Sequence, residues 1–186
     1  MSRKIVHVVG TGTIGEPLIG LLCDFKDQLG IDEVTFHKNT PLTTDRSKVH
    51  NLVKRGARLT TKSEKIDGFI NIGLKPEFST EDAIDRASVV IDCTPTGIGQ
   101  QNKVKYYQSF LHNTKGFVAQ GSEFGFGKMY ARGINDKSLD ENDRFIHVVS
   151  CNTHNLSTIV QTLALDESED NLIEGRFKNQ WNYDVE

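Results

Sequence analysis

Apolar residues along this chain follow two rhythms that alternate with each other. Short unbroken runs, the pattern of a strand covered on both faces, are separated by stretches in which apolar positions recur three and four apart, the pattern of a helix with one buried side. Lys4–Val9 is the first run, and Pro17–Phe25 follows with Leu18, Ile19, Leu21, Leu22 and Phe25 at helical spacing. Glu33–Phe36 predicts a second strand and Ser47–Lys54 a second helix, ending before Gly56 with Val49, Leu52 and Val53 inward. Between Arg58 and Gly73 neither rhythm dominates, and "FINIG" reads as a strand. "STEDAIDRA" predicts a short helix, capped by Ser79 or Thr80, with acidic residues in its first turn.

The second half repeats the alternation. "SVVIDC", Ser88–Cys93, is β-branched and apolar without a polar face, as in a central parallel strand, and the turn "TPTGIG" ends it. Val104–Leu111 predicts a helix with Val104, Tyr107, Phe110 and Leu111 on one side, "GFVAQ" a strand, and Phe145–Val149 the last strand. Beyond it, Leu156, Ile159, Val160 and Leu163 mark a final helix. Strands alternating with helices predict an α/β fold with a doubly wound, mostly parallel sheet of the Rossmann type. After Leu165 the chain turns acidic and then polar, with one short strand expected around Leu172–Phe177. The expected division is residues 1–165 as a nucleotide-binding domain including the last helix, and 166–186 as a polar tail or the truncated start of a catalytic domain.

Composition narrows the classes. With 186 residues, 37% hydrophobic and 25% charged, the chain suffices for one core but not for a large two-domain enzyme. Its formal charge is −3 and its Lys and Arg are scattered among Asp and Glu, so no basic stripe awaits a nucleic acid. The N-terminal apolar run is too short for a signal peptide or a membrane span, and a cytoplasmic protein is expected. Cys23, Cys93 and Cys151 are too far apart for a paired zinc site and too few for a disulfide framework.

The candidate chemistry begins at "VVGTGTIG". Gly10, Gly12 and Gly15 lie between the first strand and the first helix, the context in which G-x-G-x-x-G implies a dinucleotide. Gly10 permits a tight turn, Gly12 leaves room for a pyrophosphate, Gly15 lets helix and strand approach, and the Thr13 and Ile14 N–H groups face the anion. An empty glycine turn is the plainer alternative. An acidic residue that would hold the ribose of NAD is missing from the end of strand two, where "HKNT" supplies Lys38 and Asn39. NADP is therefore favoured and NAD remains possible, the alternative for Lys38 being an ordinary solvated loop lysine. Thr94, Pro95 and Gly97, after the central strand, and Gln120 and Gly121, after the next, complete the cofactor candidates, because ligands of open α/β sheets sit at the carboxyl ends of the strands.

Cys93 and Cys23 read as small buried hydrophobes. Cys151 stands between a strand and a helix, where unpaired N–H groups and the helix dipole would favour a thiolate, and Asn152 or Thr153 would cap the helix or bind an anion. On chemistry alone, a buried structural cysteine and a nucleophile remain equal alternatives.

The motif "SCNTHNL" resembles the active-site motif of archaeal glyceraldehyde-3-phosphate dehydrogenases, whose pattern is close to S-C-N-T-T-G-L. "IDCTPTGIGQQNK" resembles their segment after the central strand, and "GTGTIG" with "HKNTP" resembles their NADP-accepting site; the likeness runs from about residue 4 to about residue 165. It implies a thioester mechanism in which Cys151 attacks a phosphorylated aldehyde, hydride passes to NADP, and inorganic phosphate releases the acyl group. It also implies that Asn152 and Thr153 place substrate and phosphate, and that the catalytic histidine lies far beyond the cysteine. This chain ends 35 residues after Cys151, so that segment is expected to be missing. Of the six histidines, His7 and His147 are expected in strands, His50 and His112 in helices and His37 near the adenine end; His154 alone is close to Cys151 in sequence. His154 replaces a Thr of the archaeal pattern and Asn155 a Gly.

Three functions follow from these readings. One is the N-terminal part of such an oxidoreductase, acting alone or as a homo-oligomer. Another is a stand-alone NADP-binding module without catalysis, and the last is a structural remnant with an empty glycine turn.

Overall fold

The computed structural model describes residues 3–163 and 165. Eight strands form one sheet in which every neighbouring pair is parallel. In chain order the elements are β1 (Ile5–Val9), α1 (Gly15–Asp24), β2 (Glu33–His37), α2 (Arg46–Lys54), β3 (Arg58–Thr61), α3 (Ile66–Asn71), β4 (Phe78–Ser79) and α4 (Thr80–Arg86). They continue with β5 (Val89–Asp92), α5 (Ile98–Lys105), β6 (Gly116–Gly121), β7 (Lys128–Tyr130), β8 (Phe145–Val149) and α6 (Cys151–Leu163). This is an α/β, Rossmann-type fold.

The strand order is β4-β3-β2-β1-β5-β6-β8-β7. The chain winds outward from β1 to β4, then returns to the far side of β1 as β5 and winds the other way. The boundary between β1 and β5 is therefore the topological switch point, where diverging connections leave a crevice at the carboxyl ends. Val9 is in register with His37 on one side and Asp92 on the other, so these three residues mark that edge.

One core packs α1, α2 and α3 against the first half of the sheet through Val8, Ile19, Val34, Phe36, Val49, Leu52, Leu59 and Phe69. A second core joins Ile84, Val90, Tyr107, Phe117 and Phe126 beneath α4 and the turn that follows α5. Tyr107 stacks on Phe117 with ring centroids 4.8 Å apart, and Phe117 stacks on Phe145 at 5.2 Å.

The structure corrects several expectations. "FINIG" is not a strand: Phe69–Asn71 ends α3, because one buried aromatic, Phe69, anchors a helical turn to the core. The strand in that region is the polar "RLTT" of β3, recruited by pairing with β2. The Val104–Leu111 helix is two pieces, α5 starting earlier at Ile98 and a separate 3₁₀ turn at Tyr107–Phe110, and Val104 faces solvent. His112 consequently lies in a turn, not a helix. Val53 is exposed, leaving Val49 and Leu52 to hold α2. Ser79, not Thr80, caps α4, its Oγ accepting from the Asp82 N–H at 3.1 Å. The strand expected around Leu172–Phe177 lies outside the described residues.

Candidate functional site

The carboxyl ends of β1, β2 and β5 open into a cleft of about 880 Å³. Its lining includes Gly10, Gly12, Thr13, Ile14, Lys38, Asn39, Thr94, Pro95 and Gln120 from the residues singled out in the sequence. Gly15, Gly97 and Gly121 do not line it.

The three glycines of the first turn differ in what the fold asks of them. Gly10 has φ of 100°, and a Cβ there would lie 2.9 Å from the Cys93 carbonyl oxygen. A Cβ on Gly15 would lie 2.1 Å from the Gly10 carbonyl oxygen. Both are therefore demanded by the close approach of β1, α1 and β5. A Cβ on Gly12 would meet nothing within 4 Å. Protein packing gives no reason for Gly12, whereas a group lying in the cleft against the backbone does. Among the described residues no acceptor meets the N–H groups of Gly12, Thr13 or Ile14, and Ile14 at the N-cap of α1 has no side-chain cap. These free donors at a helix start suit an anion.

The opposite wall is organised by a carboxylate that sequence reasoning missed. Asp92 closes β5 and is buried. Its Oδ1 accepts from the Thr94 N–H at 2.9 Å and from the Thr94 hydroxyl, while its Oδ2 accepts from Asn102 Nδ2 at 2.9 Å and from the Tyr107 hydroxyl at 2.5 Å. One side chain thus ties the turn, α5 and the following 3₁₀ turn together. Burial, with the carboxylate beside it, raises the Tyr107 hydroxyl well above its usual pKa, so Tyr107 stays a neutral donor. An acidic residue ending an apolar strand was the available signal.

Gly97, at φ of 83°, begins α5, and here the helix start is already filled. Glu123, buried in the loop after β6, accepts from the Gly97 N–H at 2.5 Å and from the Gln100 N–H at 3.0 Å. No local pattern announces this residue, because the contact joins positions 26 apart.

At the end of the cleft beside β2, Lys38 is buried rather than solvated, and its Nζ lies 2.5 Å from Asp45 Oδ2. That ammonium holds the Asp45 carboxyl below the ordinary carboxylate range. Asn39 is gripped by Lys65 Nζ at 2.8 Å from both its carbonyl and its side-chain oxygen. His37 shares a 3.1 Å hydrogen bond with the Thr80 hydroxyl, and burial, aided by the positive charge of Lys62, lowers its pKa to about 4. It is therefore neutral at pH 7. Among the described residues no carboxylate lines the cleft, but Lys38, Lys62 and Lys105 do.

Cys151 is exposed and opens α6. The cap is Ser150, not Asn152 or Thr153: its Oγ accepts from the Thr153 N–H at 3.3 Å and lies 2.9 Å from the Thr153 hydroxyl. Cys151 is on the same carboxyl edge of the sheet as the cleft, because β8 runs parallel to β6 and β5. Two strand spacings separate β8 from β5, about 10 Å. His154 Nε2 lies 2.9 Å from the Arg132 carbonyl, which must accept, so Nε2 carries the proton. The ring is held by that backbone rather than by the sulfur. The other thiols are unsuited to chemistry: burial pushes Cys93 up to about 12 and raises Cys23 as well.

No protein-family model matches the chain. It is similar to curated proteins named glyceraldehyde-3-phosphate dehydrogenase: 27% identical over 164 residues to that of Pyrobaculum islandicum, covering 87% of this chain and 44% of the relative. The protein of Archaeoglobus fulgidus is 26% identical over 168 residues (90% and 47%), and that of Metallosphaera sedula 29% over 165 (85% and 44%). The chain thus spans less than half the length of these relatives.

Proposed function

We propose, from its similarity to archaeal proteins named glyceraldehyde-3-phosphate dehydrogenase, that the chain is the nucleotide-binding, cysteine-bearing part of such an oxidoreductase, residues 1–165 forming the working unit. The observation that carries this reading is the placement of an exposed cysteine at a helix start on the same sheet edge as an open cleft whose turn contains a glycine that packing does not require.

The residues fit a dinucleotide. The Gly12, Thr13 and Ile14 N–H groups would hold the pyrophosphate, and Thr94, Pro95 and Gln120 would flank the reacting end. Lysines on the cleft wall, with no carboxylate lining it among the described residues, favour NADP over NAD. When bound, the nicotinamide supplies a two-electron acceptor for oxidation of an aldehyde carbon. Cys151 forms the C–S bond to that carbon, and Asn152 and Thr153 beside it position the phosphorylated aldehyde and the inorganic phosphate whose attack on the acyl group returns the thiolate. Ser150 fixes the helix start that presents the sulfur.

A second reading, a nucleotide-binding module without catalysis, is favoured by one observation: His154 is anchored through Nε2 on the Arg132 carbonyl, and among the described residues no hydrogen bond joins its ring to Cys151. One experiment separates the two. Purified chain is mixed with NADP, glyceraldehyde 3-phosphate and phosphate, and NADPH formed per chain is read from absorbance. Many turnovers support the oxidoreductase and assign the base to His154 or a partner subunit. No NADPH with nucleotide binding intact removes catalysis from this chain and leaves the module.

A further inference from the structure

The sequence points to Lys38 as the cation that would read a 2'-phosphate, and the structure gives that residue another task. Lys38 is buried, its Nζ is 2.5 Å from Asp45 Oδ2, and its backbone is clamped on β3: its N–H donates to the Thr60 carbonyl at 3.1 Å, and its carbonyl accepts from the Thr61 hydroxyl at 2.9 Å. A lysine whose charge is matched at contact distance has little left to offer a dianionic group. Lys65 is likewise occupied, with both of its contacts on Asn39, and it does not line the cleft.

Lys62 differs from both. It is the first residue after β3, it lines the cleft, and its ammonium has no hydrogen-bond or ion-pair partner among the described residues. β3 pairs with β2 in parallel, Thr60 beside His37, so Lys62 emerges alongside Lys38 and Asn39 at the end of the cleft where the second strand terminates. Its positive charge, with those of Lys65 and Lys38, adds to burial in keeping the His37 ring neutral.

We propose that Lys62 is the specificity-determining residue of the cleft, a cation without an ion-pair partner among the described residues that meets the 2'-phosphate of an adenine nucleotide, and that the Lys38–Asp45 pair is a positioning device for the loop rather than the phosphate ligand. This rests on the nucleotide reading above. The sequence could not have shown it, because β3 is not recognisable as a strand and Lys62 lies far from the glycine turn in the chain.

The test is calorimetric binding of NADP, NAD and 2'-AMP to the full chain and to Lys62→Gln, Lys62→Arg, Lys38→Gln and Asp45→Asn, each checked for an unchanged thermal midpoint. Lys62→Gln should weaken NADP and 2'-AMP about tenfold or more, leave NAD within about twofold, and be restored by Lys62→Arg. Asp45→Asn, which releases the Lys38 charge, should raise the preference for NADP over NAD. A wild-type chain that binds NADP, with Lys62→Gln unchanged and Lys38→Gln weakened, overturns the assignment while sparing the nucleotide site. A wild-type chain that binds none of the three overturns the site and the assignment together.

Discussion

Two turns of the same kind face each other across the switch point, and they end differently. After β1 the chain enters α1 through Gly10, Gly12 and Gly15 with three N–H groups unmet among the described residues; after β5 it enters α5 through Thr94, Pro95 and Gly97 with its leading N–H groups taken by Glu123. Both helix starts have the same dipole and the same orphan donors. The protein satisfies one with its own carboxylate and leaves the other open, so a helix start becomes a ligand site only where the fold withholds its own acid. The closed turn is also the braced one, because Asp92 fastens Thr94, Asn102 and Tyr107 to one side chain. A rigid wall and an open wall together make a cleft.

Acid should disturb the open side most. His7 and His37, in the strands beneath the first turn, have pKa values lowered to about 3 and about 4 by burial, against 6.5 when exposed. The unfolded chain binds these protons first as pH falls, so stability is lost progressively from pH 6.5 downward. At pH 5 the loss is about 2 kcal/mol for each histidine, about 4 together. Urea unfolding at pH 7 and pH 5 measures it, and an unchanged midpoint would contradict the burial of both rings.

Gly15→Ala should cost about 3 kcal/mol, because its methyl would overlap the Gly10 carbonyl and force α1 off β1. Glu123→Ala should cost about 2 kcal/mol by stripping the cap from α5, and Glu123→Gln should recover part of it; equal midpoints in wild type and alanine variant would erase the contrast between the turns. Gly12→Ala has the smallest effect on folding, within about 0.5 kcal/mol, since its Cβ meets only open space. Nucleotide affinity should nevertheless fall about tenfold in calorimetry.

The parts of the fold visible in the sequence are those where burial is two-sided or periodic. β1, β5, β6 and β8 are largely apolar runs, β2 alternates Val34 and Phe36 with polar neighbours, and α1, α2 and α6 follow the helical spacing of their apolar residues. β3, β4 and β7 are short and polar, and they are strands only because a neighbour offers an edge to pair with. At the candidate site the glycine turn and Cys151 are local features and could be read directly. Asp92, Glu123 and Lys62 owe their roles to partners 10 or more residues away or to a neighbouring strand, and Lys38 changes meaning once Asp45 folds back onto it.

The helix that carries Cys151 has no buried residue along its 13 positions, and Ile159 and Leu163 stand in solvent. Among the described residues, the side-chain hydrogen bonds that tie it to other elements lie in its first turn, where Ser150 and the His154 contact to Arg132 sit. Local opening there does not require the sheet to come apart. Amide hydrogens in the last two turns of this helix should therefore exchange with deuterated water well before those of β1 and β5, and the sulfur sits at the slow end of a segment that unzips from its far tip.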